Sequence, residues 1–417
     1  MKSFLVKIGK ITAAIKREGF LSAARSTVSA LFIMMRPVGA GDIVFITSGA
    51  VGDSTRYRAW NVAEELDAHG FKCSVVPQYS SWLRNCADKF HIFIFHKVFF
   101  TPKISALIEE IKKQNKTIIF ETDDLTFDPK YFKNISHLEK ISALEKKIFE
   151  NGLGSEILND PYVKVCTATT TYLADILMKY GKEVFVVPNK LSDEDLEIAD
   201  NLVKRFNLPA RRASLIEAGG SRPKQTKEVE PQVQAVRIGY FSGTRSHDRD
   251  FATVVKPLAE IMEKHPKTIL CLAGPLDIGK DFDKFPGRVI RLPFAARNKH
   301  FKNIASVDIN IAPLEVGNPF CEAKSELKFF EAGILGVPTV AAATRTFREA
   351  IEDGVDGFIA GTAEDWKDKI EKLLMDEELR KKMGEKARGK AMASYANKNS
   401  RNEKYYDFLR NRIKEIK

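Results

Sequence analysis

The stretch NPFCEAKSELKFFEAGILGVPTV, Asn318 to Val340, decides how the rest of the chain reads. It opens as a loop, becomes a short helix and leaves through Gly336-Val337-Pro338 into a strand. Ser325 suits the N-cap, because its hydroxyl can accept from a first-turn backbone N–H. Gly333 and Gly336 weaken and then end the helix, and Pro338 cannot continue it. Lys324, Lys328 and Glu331 fall at i, i+4 and i+7 and share one face; Leu327, Phe330 and Ile334 share the other, which reads as core.

Two cations near a helix N-terminus and a carboxylate farther along have a chemical use. Unpaired N–H groups and the positive end of the macrodipole suit a phosphate, and the lysines add point charge. Glu331 can accept from a diol such as the hydroxyl pair of a ribose. A sugar nucleotide presents both. A charged helix face is more often only a solvated face with an i,i+3 Lys–Glu pair, so this stretch alone does not choose between the two.

The chain of 417 residues has room for two to three ordinary domains, and its 44% hydrophobic content supports substantial cores. A net charge of +11 and a pI near 9.2 favour anionic partners: nucleotides, anionic lipid surfaces or nucleic acid. Cys73, Cys86, Cys166, Cys271 and Cys321 are scattered without C-x-x-C spacing, which points to a reducing compartment and away from a zinc site or a disulfide framework. No run approaches the roughly 18 apolar residues that span a bilayer.

Residues 1–36 form a basic amphipathic helical extension. Phe4, Ile8, Ile11 and Ile15 repeat at helical spacing, as do Leu21, Ala24, Val28, Leu31, Phe32 and Met35 after Gly19. The polar face carries Lys2, Lys7, Lys10, Lys16, Arg17, Arg25 and Arg36 against Glu18. Charges interrupt the apolar run, and its densest part, Val28 to Met35, is short and late, so a signal peptide is not expected here. Such a helix either lies on an anionic membrane surface or packs on its own domain.

Strands and helices alternate from Asp42. Ile43-Val44-Phe45-Ile46 runs into Ser48-Gly49-Ala50-Val51-Gly52-Asp53-Ser54 and a helix with Tyr57, Val62, Ala63 and Leu66 that stops at Gly70. Cys73 to Val76, Ile92 to Phe95 (ending at His96-Lys97), Thr117 to Phe120 (ending at Glu121-Thr122-Asp123-Asp124), Val163 to Cys166 and Val184 to Val187 read as further strands, and Ile104, Leu107 and Ile111 mark a helix. Residues 191–235 break the rhythm with a charged helical insertion and the flexible Gly219-Gly220-Ser221-Arg222-Pro223. Alternation restarts with Arg237 to Phe241, a helix from Asp250 to Lys264, then Thr268 to Leu272, Val289 to Leu292, Asp308 to Ile311 and Thr339 to Ala341. After Glu364 the chain reads as helical, with Tyr406, Leu409, Ile413 and Ile416 on one stripe. The expected domains are therefore 37–190 and 236–395, with 396–417 a last helix. The class is α/β: two doubly wound parallel sheets facing across a cleft.

The second half resembles the retaining GT-B glycosyltransferases, the large GT4-like group. The resemblance rests on Gly239-Tyr240-Phe241-Ser242-Gly243-Thr244, Leu272-Ala273-Gly274-Pro275, Asp308 to Leu314, Glu331-Ala332-Gly333 through Val340, and Gly354-Val355-Asp356-Gly357-Phe358. Thr167 to Tyr172 and Val187-Pro188-Asn189 look like the end of that family's acceptor domain. The resemblance implies two Rossmann-like domains, 37–190 on the acceptor side and 236–395 binding the nucleotide sugar, with 396–417 crossing back to the first. Glu331 matches the second glutamate of the family's E-x7-E motif, which binds ribose. The first would stand at Ala323, with Glu322 one position off. The form K-S-x-x-K-x-x-E resembles saccharide transferases in which lysines flank the diphosphate, here Lys324 and Lys328 around Ser325. Gly243, Thr244 and Arg245 correspond to a phosphate loop, and Arg291 to Phe294, with Pro293, to a base pocket.

For the acceptor side, His96 ends a strand at the expected cleft edge, and Asp53 sits in the loop after the first strand. Asp123-Asp124 invites a metal reading, but the family needs no bound metal and adjacent acids point apart, so Asp123 is expected to meet an acceptor hydroxyl or solvent. His247 lies near the expected phosphates. Gly39-Ala40-Gly41 precedes its strand and is no dinucleotide fingerprint. The implied chemistry needs no cofactor or metal. Lys324, Lys328 and Arg245 stabilise the departing nucleoside diphosphate, which itself helps deprotonate the acceptor, so configuration is retained. The expected partners are a nucleotide-sugar donor, a saccharide or lipid-linked acceptor and an anionic membrane surface met through 1–36, in the cytoplasm at the inner membrane face. Two rivals share the fold: a sugar-nucleotide 2-epimerase and a non-catalytic binding protein. Nucleic acid is disfavoured because the basic residues lack aromatic interleaving.

Overall fold

A computed structural model of the protein describes Ile33, 35–135, 151–206, 235–243, 247–292, Ala295 and 297–416. The expected extension over 1–36 lies almost wholly outside these residues, as does 207–234 of the expected insertion. The chain divides into two compact units. The first holds the residues up to Ser192 together with Ala323–Ser325 and Tyr395–Lys417; the second holds Asp193–Glu322 and Glu326–Ser394.

The first unit is built on Ile43–Thr47 (β1), Cys73–Pro77 (β2), Ile92–His96 (β3), Thr117–Thr122 (β4), Val165–Ala168 (β5) and Glu183–Val186 (β6). Every residue of β1, β3, β4 and β5 is buried. Parallel strands covered on both faces require this, and it explains why they are apolar runs without alternation. The sheet runs β2-β1-β3-β4-β5-β6, all parallel. Its register sets His96 beside Thr47 on one side and Glu121 on the other. The helix after β1 spans 53–68 (α1) and includes a π turn at Arg56–Trp60. Pro102–Lys113 (α2) starts where Thr101 accepts from the Ile104 amide, with proline in its first turn, and buries Ile104, Leu107, Ile108 and Ile111. Thr170 caps Thr171–Met178 (α3) in the same way.

The second unit begins with Asp193–Phe206 (α4) and the strand Val236–Phe241 (β7). The single helix expected from Asp250 to Lys264 is instead a turn at Asp248–Ala252 followed by Val255–Lys264 (α5). Thr253 Oγ1 donates back to the Asp250 carbonyl at 2.7 Å, the local competition by which threonine interrupts helices. Next come Thr268–Ala273 (β8), Val289–Leu292 (β9), Arg297–Ala305 (α6), Ile309–Ala312 (β10), Leu327–Gly333 (α7), Thr339–Ala342 (β11) and Arg345–Ala350 (α8). The turn expected at Gly354 to Phe358 is present, but it leads into a strand the sequence did not announce, Phe358–Ala360 (β12), paired with β11. The order is β12-β11-β10-β7-β8-β9. Counted from β7 this is the 3-2-1-4-5-6 order of dinucleotide-binding sheets.

Helices Ala363–Met375 (α9) and Glu377–Lys390 (α10) are separate, because Asp376 leaves helical geometry and caps the second by accepting from Leu379. The final helix, Glu403–Ile416 (α11), belongs to the first unit. Its Tyr405, Tyr406, Leu409 and Ile413 join Ile43, Phe45, Ile92, Ile94, Val62 and Leu66 in one core. Tyr406 Oη donates to the buried Glu65 Oε1 at 2.5 Å. Leu409 is fully buried on this helix while Asp407 is exposed. Leu409→Ala is therefore expected to cost about 2–5 kcal/mol of unfolding free energy. Asp407→Ala should stay within about 0.5 kcal/mol. Urea titration of both variants checks the contrast.

Candidate active site

In a sheet of the second unit's order, the ligand crevice opens beyond the carboxyl ends of its first and fourth strands, here β7 and β10. The chain leaves β10 and runs into the segment that carries Lys328 and Glu331. Buried Asn310 on β10 anchors that segment, its Nδ2 donating to the Lys328 carbonyl and to Thr339 Oγ1, both at 3.1 Å. Phe329 and Phe330 fill the apolar side of α7. The Lys328 ammonium lies 5.8 Å from the ring centre of Tyr240 on β7, within cation–π range.

Helix α7 is shorter than its sequence suggested. It has seven residues and starts at Leu327, with Glu326 in the capping position and no side-chain cap bond. Lys324 thus precedes the helix instead of sharing its face, and Ser325 is not the N-cap. Asn189 Nδ2 donates to Ser325 Oγ at 2.9 Å, and Thr170 Oγ1 to the Ala323 carbonyl at 3.4 Å, which is why 323–325 count with the first unit. Positive charge on this segment comes from lysine side chains more than from a helix dipole. Gly336, at φ 67°, makes the left-handed turn out of α7 into β11.

Glu331 is buried and engaged. Arg297 Nη1 pairs with its Oε1, and His300 Nε2 lies 3.3 Å from its Oε2. Arg297 Nε also reaches Asp195 Oδ1 at 2.7 Å, so one guanidinium joins α4, α6 and α7. The His300 ring meets Phe241 at the end of β7 edge-on, with centroids 6.0 Å apart. Glu322 does not stand in for the missing glutamate at 323. Its carboxylate accepts from the Gly317 amide at 2.9 Å and from the Arg345 amide at 2.8 Å, which caps α8.

Gly243 bends out of β7 behind Ser242, whose amide donates to the Ala273 carbonyl. Gly274 has to be glycine: a Cβ there would stand 2.0 Å from the Ser242 carbonyl oxygen. Arg291 is exposed and donates to the Leu276 carbonyl at 2.9 Å. Thr244, Arg245 and Pro293 lie outside the described residues. His247 Nδ1 is 2.8 Å from Asp250 Oδ2, and Cys321 Sγ donates to Asp250 Oδ1 at 3.2 Å. Asp250, Glu315 and Cys321 bring ligand-type atoms within 4.8 Å of one another, among the described residues. Both Asp250 oxygens are already engaged by His247 and Cys321, so the trio reads as a hydrogen-bonded cluster.

In the first unit, His96 and Asp123 are brought together and Asp53 is not. Asp53 is exposed in the first turn of α1, where an acid suits the helix end. Ser54 Oγ is 2.9 Å from His96 Nε2 and donates to Asp123 Oδ2 at 2.7 Å. His96 Nδ1 abuts Glu121 Oε2, an ion-pair contact by proximity more than by hydrogen-bond alignment. Arg58 Nε holds Glu121 Oε1 at 2.7 Å. Lys97 pairs with Asp123 and with Asp124. Burial disfavours the charge on Glu121, but Arg58 and His96 outweigh it and hold the carboxyl below its usual range. Burial opposes ionisation of Asp123 too, and Lys97 and His96 overcome it.

Sequence reading missed Arg297, His300, Arg58 and Glu121 as partners. Arg297 and His300 sit in a basic run, 297–302, whose spacing gives no pointer to Glu331. Glu121 was visible as a strand end, but only the register makes it His96's neighbour.

Two parallel units of this topology define the GT-B class of fold. Residues 327–390, from the first residue of α7 to the last of α10, match the family described as glycosyl transferases group 1. No curated protein matches the sequence. Among solved structures, a glycosyltransferase of Rickettsia africae ESF-5 is similar at TM-score 0.57 and 13% identity, covering 88% of this chain and 98% of its own. The Anabaena protein Alr3699/HepE, solved in complex with UDP and glucose, is similar at TM-score 0.55 and 14% identity, over 89% of this chain and all of its own. Sucrose-phosphate synthase of Thermosynechococcus elongatus is similar at 0.53 and 12% identity, over 90% of this chain and 98% of its own.

Two outcomes follow from the buried pairs. Arg297→Ala strands the Glu331 and Asp195 carboxylates and is expected to cost on the order of 3 kcal/mol in urea titration. A loss under about 1 kcal/mol would mean the pair behaves as a surface ion pair. Because the Glu121 carboxyl titrates lower when folded, its contribution is present above the unfolded glutamate value of about 4.3 and is lost as pH falls through the folded one. Stability measured across acid pH should therefore fall less steeply in Glu121→Gln than in the wild type.

Proposed function

We propose that the protein is a retaining glycosyltransferase that moves a sugar from a nucleoside-diphosphate sugar to a saccharide or lipid-linked saccharide, in the making of cell-surface polysaccharide or glycoconjugate. The observation that carries this reading is the group 1 segment with Lys328 and Glu331 one turn apart on α7, the helix between β10 and β11. The Anabaena neighbour's complex with UDP and glucose supports UDP as the first nucleotide to try.

The chemistry follows from charge. Breaking the bond between sugar and diphosphate builds negative charge on the leaving group and an oxocarbenium-like sugar. Lys328, with Lys324 four residues earlier in the chain and Arg245 after β7, supplies fixed positive charge for that leaving group. Glu331, aligned by Arg297 and His300, accepts from the ribose hydroxyls. The scheme needs no metal and no cofactor, since side chains carry the charge. Retention follows if the acceptor attacks the face the diphosphate leaves. Cytoplasmic residence at the inner membrane face, with residues 1–36 on anionic lipid, is part of the same proposal and rests on that segment's basic amphipathic pattern.

The test is incubation with a panel of nucleotide sugars and glycoside acceptors, following released nucleoside diphosphate. Release that depends on acceptor supports transfer. Epimerised donor without release points to a 2-epimerase. Binding without turnover points to a non-catalytic protein, the reading that Ala323 in the glutamate position favours. Lys328→Ala is expected to lower turnover by about 100-fold or more, with an unchanged melting profile. Turnover at the wild-type rate in that variant removes Lys328 from the mechanism.

A further inference from the structure

Three neighbouring strands of the first unit each begin just after a lysine: Lys116 before β4, Lys164 before β5 and Lys182 before β6. Parallel register sets Val165 beside Glu183, so Lys164 and Lys182 enter the sheet side by side. Like charges so placed repel each other, and they cost stability unless something answers the charge. A groove of about 760 Å³, lined by these strand starts and by α11, opens here. Small-molecule sites run from roughly 300 to 1,000 Å³. The groove lies at the amino ends of the strands, the opposite end from the crevice of an open parallel sheet.

Its walls are held by specific bonds. α2 ends in a left-handed turn at Asn115, φ 52°, closed by the Lys116 amide donating to the Ile111 carbonyl at 3.1 Å. Tyr162 Oη donates to the Lys116 carbonyl at 2.7 Å, which ties the loop before β5 to that turn. Arg412 Nε donates to Thr117 Oγ1 at 3.3 Å, which fixes α11 to the start of β4. Ile118, Val165 and Phe408 supply the apolar lining, and the first two are buried.

The charged residues that line the groove are Lys116, Lys164, Arg412 and Glu183, a surplus of two positive charges. Glu415 pairs with Arg412 at 2.5 Å, and Lys182 beside Glu183 offsets it. The Asp160 carboxylate is taken by Lys112 at 2.5 Å. Lys116 and Lys182 hold backbone carbonyls instead of acids. Lys116 Nζ donates to the Ala87 carbonyl at 2.6 Å, and Lys182 Nζ to those of Val163 at 2.6 Å and Asp160 at 3.2 Å. Asp88 acts on Lys116 only from beyond ion-pair range. Burial holds the Lys182 ammonium below the usual lysine range, and the charge of Lys164 adds to the effect. Lys164 is exposed and in no ion pair among the described residues. A phosphate monoester carries about −1.5 to −2 at neutral pH, which matches the surplus, whereas one carboxylate supplies half of it.

We propose that this groove binds an organic phosphate monoester, its phosphoryl oxygens meeting Lys164 and Arg412 and its apolar or aromatic body resting on Ile118, Val165 and Phe408. Lysine serves such a group as a point charge, and the arginine fork adds direction. The site does not rest on the transferase reading, since it needs neither a donor nor an acceptor.

The test is calorimetric titration of the full chain with three probes: phenyl phosphate, phenol and inorganic phosphate. Phenyl phosphate is expected to bind. Phenol and inorganic phosphate should each bind about 10-fold or more weaker, because each lacks half of what the groove recognises. Lys164→Glu reverses an exposed charge without touching the core and should weaken phenyl phosphate by about 10-fold or more. Lys103→Glu, exposed at the other end of α2, makes the same change in net charge and should bind as the wild type does. If the wild type takes up no phenyl phosphate at millimolar concentration, or if the two lysine variants bind it equally, the site is overturned. Phenol binding as tightly as phenyl phosphate would overturn the phosphate assignment. Loss of phenyl phosphate binding in Lys328→Ala would place the probe in the second unit and overturn the groove as its site.

Discussion

Arg58 is buried among apolar strands, and an arginine cannot shed its charge to suit such a place. Its partners must therefore come to it. Nε meets Glu121 at 2.7 Å, and Nη1 meets the Val187 carbonyl at 2.7 Å and Asn189 Oδ1 at 3.1 Å. One guanidinium thus ties α1 to β4 and to the chain leaving β6. Removing either member would strand the other's charge, a larger loss than the pair's net contribution. Parallel pairing seats His96 beside Glu121, so the sheet itself positions these two members of the polar cluster.

The two sheets solve the same problem in different orders. The first splits after its second strand and the second after its third, yet both split beside the unit's own first strand. Apolar residues fill most strand positions. In the first unit Ser54 meets His96 at the end of β3. In the second, Lys328 and Glu331 lie on α7, held by Asn310 and Arg297. Glu331 arrives aligned, because Arg297 is itself fixed by Asp195. Such bracing keeps a carboxylate in one rotamer.

Strand positions were legible because parallel strands buried on both faces are short apolar runs. Helix stripes were legible where one face is apolar over several turns, as in α2 and α11. Boundaries were less so. The break at Thr253 depends on a hydroxyl turning back on its own helix, and the one at Asp376 on a cap that also fits a helix interior. β12 has three residues, too few to show a period. At the site, the lysine and glutamate spacing was visible, but not that the helix begins at Leu327. The Arg297–Glu331 and His96–Glu121 pairs join residues distant in sequence, and no spacing rule reaches that far.

The core of the first unit draws on both ends of the described chain. Glu65 and Tyr406, hydrogen-bonded to each other, are 341 residues apart. On the ribosome, the strands from Ile43 onward emerge long before Tyr405, Tyr406 and Leu409 exist to cover them. The second unit's sheet, by contrast, is complete once Ala360 has been made. The later-translated unit is thus the one able to close first, while the earlier one waits with an uncovered apolar face, a natural client for a chaperone until translation has passed Ile413.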